Sequence, residues 1–145
     1  MNNEKNKELI KKLVENFIIQ MNDWEKYSEK LDNNMDISET EKIESIKLKV
    51  NTIFNHFCTK KDRKMGRPNC LSWGLEGSYI YDLDKEHITT IEIINKNKAY
   101  VYTYIKKGLI TEEHCYICVH KSNNWLIDSK KRKWDNDTKW SNIAL

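Results

Sequence analysis

The sequence predicts an α+β domain in which two N-terminal helices pack on a curved antiparallel meander of four strands. Three observations carry that reading. Apolar residues recur at helical spacing in the first part of the chain. The period then drops to two in the second half. Only short, turn-forming gaps separate the alternating segments. With 145 residues, the chain is expected to form a single domain over 1–145, large enough to bury most of the surface its unfolded form exposes.

The first helix is expected over about 4–32. Leu9, Leu13, Phe17, Met21, Trp24 and Leu31 give it one apolar stripe. "LDNNMD" then breaks the pattern with residues that favour turns and caps. "SETE" opens a second helix, expected over about 38–58. Ser38 and Glu41 have the spacing of a capping box, in which each side chain bonds the other's backbone N–H. Ile43, Ile46, Val50, Ile53, Phe54 and Phe57 form its stripe. The short break between the two helices predicts an antiparallel pair.

Residues 59–85 hold three of the four glycines and the only proline, and are read as irregular. Within them "YIYDL" is expected to add a short strand or a helical turn. The sheet follows over about 86–131: "EHITTIEII", "KAYVYTYI", "EHCYICVHK" and "WLIDSKK" are rich in β-branched and aromatic residues. "NKN" and "SNN" read as tight hairpin turns, and "KKGLIT" as a longer hairpin loop. "KKRK" is expected to be the solvated exit of the fourth strand. Trp134 and Trp140 lie in a tail over 132–145 that folds back on the body.

Composition bounds the function. Hydrophobic residues make up 39% and charged residues 32% of the chain, which suits a folded domain and not a disordered one. Twenty-five basic against 22 acidic residues leave a net charge of +3, a near-balance that argues against a nucleic-acid partner. "NFIIQMN" is far too short to cross a membrane. The amino terminus lacks the apolar segment of a signal peptide, so a cytoplasmic protein with no membrane partner is expected.

The chemistry-bearing residues form no strong motif. Cys115 and Cys118 have C-x-x-C spacing, but on a strand they point to opposite faces. His114, Cys118 and His120 share a face, yet no carboxylate stands in sequence to orient them, so no metal site and no cofactor is expected. Asp82, Asp84, Glu86, His87, Glu92 and Asp128 are the candidate acid–base groups. No spacing sets two of them on one substrate, so no catalytic residue is assigned.

The clearest surface feature is "KAYVYTYIKK". Ala99, Val101, Thr103 and Ile105 take one face and are expected to meet the helices. Tyr100, Tyr102 and Tyr104 take the other. His114 and Tyr116 are expected to extend that row across the next hairpin. Tyrosines combine large contact area with a polar tip and little entropy to lose, so the row reads as a cover for the outer sheet, as a lining of the pocket if the two faces are reversed, or, in the sharper reading, as a patch for a partner protein or a second copy of the chain.

A family resemblance joins these pieces. Cys58-Thr59, Lys61-x-Arg63, Gly66-Arg67, Tyr81 with Glu86 and Ile88, Trp125-x-Ile127-Asp128-Ser129 and Trp140 occur in that order. Together they resemble the nuclear-transport-factor-2-fold immunity proteins of bacterial polymorphic toxin systems. The resemblance implies a cone-like fold of that class. It also implies a protein without enzymatic activity that binds and neutralises one cognate toxin domain by direct contact. The alternative is a small cone-fold enzyme or ligand-binding protein using a pocket between sheet and helices.

Overall fold

The computed structural model describes residues 2–135 and 137–145. Helix α1 spans Asn2–Asp32 and α2 spans Glu39–Phe57. Five strands follow: β1 Glu86–Asn95, β2 Lys98–Lys107, β3 Ile110–Lys121, β4 Asn124–Trp134 and β5 Ser141–Ile143. They form one antiparallel sheet in the order β1-β2-β3-β4-β5. The predicted α+β class with helices on an antiparallel meander is the observed one. The sheet has a fifth strand because the expected tail pairs Ile143, Asn142 and Ser141 with Lys130, Lys131 and Arg132.

Both helices lie against the inner face of the sheet. The buried stripe of α1 is Ile10, Val14, Phe17, Ile18, Met21 and Trp24, so Leu9, at 48% exposure, falls just outside the stripe read from sequence. On α2 the inward residues are Lys42, Ile46, Val50, Ile53 and Phe54, while Ile43 is exposed. An apolar residue beside the stripe scores like one within it, so periodicity alone leaves the helix free to rotate by one position. Ser38 caps α2, its Oγ accepting from the Glu41 backbone N–H at 3.2 Å. Trp24 Nε1 donates to the Ile46 carbonyl at 2.9 Å and ties the two helices together. Phe17 sits at the centre, edge-on to Phe54, Phe57 and Tyr81.

Acids on α1 organise the irregular segment. The buried Glu25 carboxylate accepts from the backbone N–H groups of Gly74 and Ile80, both at 2.8 Å, and of Tyr81 at 2.9 Å. Glu29 accepts from the Glu76 N–H and the Tyr79 hydroxyl, each at 2.9 Å. These bonds replace the ladder that a strand would supply. "YIYDL" accordingly forms no strand and runs into a single turn at 83–85, closed by the Lys85 and Glu86 N–H groups donating to the Asp82 carbonyl at 3.0 and 2.8 Å. Gly74 is required by close approach, since a Cβ there would stand 2.2 Å from the Ser78 carbonyl oxygen.

The hairpins set the register. Lys107 pairs with Ile110, so the loop read as long is a two-residue turn with Gly108 at φ 62°. Ser122 and Asn123, at φ 51° and 66°, form the turn between β3 and β4. A bulge opposite Ile117 and Cys118 leaves Asp128 without a partner in the β3–β4 pairing and reverses the phase of β4 beyond it. That bulge corrects the reading of "KKRK". The run lies within β4, and Lys130 is 2% exposed on the inner face.

Candidate functional site

Of the residues behind the family resemblance, Cys58, Thr59, Lys61, Arg63, Ile127 and Asp128 converge on the bulge. Thr59 Oγ1 donates to Asp128 Oδ1 at 2.7 Å and Lys61 Nζ to Oδ2 at 3.1 Å. Arg63 donates to the Asp128 carbonyl at 2.7 Å and to the Thr59 carbonyl at 2.9 Å. The Thr59 N–H donates to Ile127 O, and Cys58 bridges Ile127. Burial pushes the Asp128 carboxyl up, but the bonds from Thr59 and Lys61 and the charges of Lys61 and Arg63 hold it below its ordinary value. The cluster clamps the chain leaving α2 onto the sheet. Its role is structural, and the bulge is what presents Asp128 to it.

The outer face of the sheet carries Tyr100, Tyr102 and Tyr104, as their alternation predicts. Tyr100 and Tyr102 meet edge-on at 6.3 Å between ring centres. Tyr102 lies 5.9 Å from Trp140, which the tail brings back over this face, and Lys133 Nζ lies 5.1 Å from the Trp140 ring. His87 packs beside Tyr104 at 5.2 Å. His114 and Tyr116 do not belong here. Tyr102 pairs with Cys115, and Val101 and Thr103 pair with Tyr116 and His114. Both residues therefore face inward, buried at 5% and 0% exposure.

There they join a second feature. A cavity of about 700 Å³ opens at the end of the inner face away from the helix-covered core, lined among others by Arg67, Ile105, Glu112, His114, Lys130 and Arg132. Behind it, Glu86 Oε2 accepts from Thr103 Oγ1 at 2.7 Å and from the Tyr116 hydroxyl at 2.8 Å. His114 Nδ1 lies 3.4 Å from the same oxygen without the alignment of a hydrogen bond. His114 Nε2 lies 3.4 Å from Glu112, which also receives Lys107 at 2.9 Å and Arg132 at 3.4 Å.

Burial pushes the Glu86 carboxyl up, but His114, the Lys130 charge and Thr103 outweigh it and hold the group down at about 2. Glu112 is likewise held below its ordinary value, with Lys107, His114 and Arg132 overcoming burial. Burial brings the Lys130 ammonium down to about 8 despite the nearby Glu86 charge. Its Nζ lies 4.4 Å from the Tyr81 ring centre and 5.0 Å from that of Tyr116.

Of the acid–base candidates read from sequence, Glu86 belongs to this network and Asp82 lines the cavity. Glu112, Lys130 and Arg67 were missed as site residues. One signal was present: Thr103 is a polar residue in the inward phase of β2. Cys115 faces outward and Cys118 lies in the core, so the C-x-x-C pair is split as strand geometry requires.

A family model described as NTF2 fold immunity protein matches residues 9–144. The chain belongs to this family. A relative, the immunity protein RhsIA of Dickeya dadantii (strain 3937), is 34% identical over 134 residues, covering 92% of this chain and 94% of its own length. No solved structure matches significantly. Both matches make the chain an immunity protein acting against a toxin. Neither lends support to the alternative of a small enzyme. Among the described residues, no helix is long and apolar enough to cross a membrane.

Proposed function

We propose that this NTF2 fold immunity protein acts as a single domain in the cytoplasm, and that it neutralises its cognate toxin domain by stoichiometric contact through the outer sheet face. The observation that carries this reading is the row Tyr100, Tyr102 and Tyr104 with Trp140 laid against it, on the side of the sheet that neither helix covers. Rigid aromatic side chains with polar tips are the commonest anchors of protein interfaces.

Tyr102→Ala is expected to weaken toxin binding by more than about 1 kcal/mol while leaving the circular dichroism spectrum unchanged. Calorimetric titration with the cognate toxin domain measures the first effect. Unchanged affinity in both Tyr102→Ala and Trp140→Ala would place the toxin on another surface. Sedimentation of the protein alone shows whether a second copy occupies this face instead.

A further inference from the structure

The outer face of the sheet carries an apolar surface wider than the tyrosine row. Ile117 pairs with Tyr100, Val119 with Lys98 and Leu126 with Val119, so the register sets all three on the tyrosine side. Each is half-buried, and none is among the residues packed on the helix-covered core. Their inward-facing neighbours Cys118 and Ile127 are fully buried in that core. Tyr102, Tyr100, Ile117, Val119 and Leu126 therefore form one apolar band across β2, β3 and β4, with Trp140 against its Tyr102 end. The two margins of the band carry opposite charges. Glu92 on β1 pairs with Tyr100, and Lys131 on β4 pairs with Cys115, so both stand on this face. Three strand spacings of about 4.8 Å set them roughly 14 Å apart across the sheet. Lys133, next on the same side of β4, is held by Glu113 at 3.5 Å, whereas among the described residues Glu92 and Lys131 have no salt-bridge partner.

We propose that the toxin-binding surface extends from the tyrosine row to Ile117, Val119 and Leu126, and that it selects a toxin surface with an apolar centre, an acidic group opposite Lys131 and a basic group opposite Glu92. The proposal rests on the outer-face reading given above and adds the partner's chemistry to it. A charge at the margin of an apolar contact contributes little to the fold. It decides which surface can close over it, because a partner with the wrong sign there meets repulsion and a partner with none strips its hydration. The band supplies contact area and the two margins fix the sense in which a partner lies across the strands. The toxin is the occupant because an immunity protein must meet one.

Binding kinetics of the full chain with its cognate toxin domain test this. Ile117→Thr and Leu126→Thr, which exchange apolar for polar surface, are each expected to weaken binding by about fivefold or more. Lys131→Glu and Glu92→Lys are each expected to weaken it by about tenfold, chiefly through slower association, with the gap narrowing as salt is added. The double variant Glu92→Lys/Lys131→Glu restores the parent's net charge but inverts the polarity of the face, and is expected to bind more weakly than either single variant. Parent-like affinity in that double variant would mean that only net charge matters and overturns the proposal. Parent-like affinity in both threonine variants while Tyr102→Ala is weakened also overturns it, and leaves the narrower outer-face reading standing. Parent-like affinity in Tyr102→Ala, Trp140→Ala and all of these variants removes that reading and the proposal with it. A dimer of the parent that the same substitutions dissociate, with toxin affinity unchanged, assigns the band to a second copy and overturns the proposal. Should the threonine variants not fold, parent-like affinity in Glu92→Lys, at an exposed position, and in Lys131→Glu overturns it.

Discussion

The inner face of the sheet is buried in two ways. Toward the helices, Ala99, Val101, Cys118 and Ile127 join Phe17, Trp24 and Phe54 in an apolar core. Toward the cavity, the same strands bury Glu86, Thr103, Glu112, His114 and Lys130. The apolar end gains from area removed from water, in proportion and without regard to direction. The ionic end gains little net free energy from being charged, because each group gives up its hydration. It persists because opposite charges stand close together in it, so removing one member leaves another without a counter-charge. The two ends should therefore fail differently.

The largest effect is expected at the apolar end. Phe17→Ala removes the ring that three other aromatic rings meet edge-on. It should cost about 4 kcal/mol in urea unfolding, at all pH values where the protein folds. A loss below about 1 kcal/mol would show that the core collapses readily around the gap.

Glu86→Gln comes next, at about 3 kcal/mol near neutral pH, because it leaves the buried Lys130 without its counter-charge. This end is also the one that responds to pH. The folded value of about 2 lies below the ordinary 4.5, so the Glu86 contribution is fully present above about pH 4.5 and is lost as pH falls toward 2. Stability measured across that window should fall less steeply in Glu86→Gln than in the parent. Equal slopes would mean that other carboxylates drive acid unfolding.

Asp128→Asn should cost about 1 kcal/mol, since its bond to Lys61 is partly solvated and the Thr59 bond survives in part. Salt should narrow the difference if Lys61 matters and leave it unchanged if Thr59 carries it. The smallest effect on stability is expected outside both ends. Tyr104→Ala, on the outer face at 38% exposure, should change unfolding by less than about 0.5 kcal/mol. A larger loss would make the tyrosine row part of the fold's support.

Patterning within a single element was readable without coordinates. The strict alternation of β2 assigned Ala99, Val101, Thr103 and Ile105 to one side and three tyrosines to the other, because successive side chains on a strand must alternate. The change of period from helix to strand gave the α+β order for the same reason, and Ser38 marked the start of α2 through a bond made within one turn. Relations between elements were not readable in this way. Which face His114 and Tyr116 share with β2 depends on how many residues the turn at Gly108 contains, and a difference of one reverses the whole strand. The two-residue turn pairs Tyr102 with Cys115 and sends His114 and Tyr116 inward. The bulge at Asp128 does the same to Lys130, turning a residue of an apparently solvated basic run into a buried cation. Local repeats follow from backbone geometry that each residue carries with it. Parity between strands and the meeting of Glu86, Glu112, His114 and Lys130 follow from hydrogen-bond register, which exists only once the strands have paired.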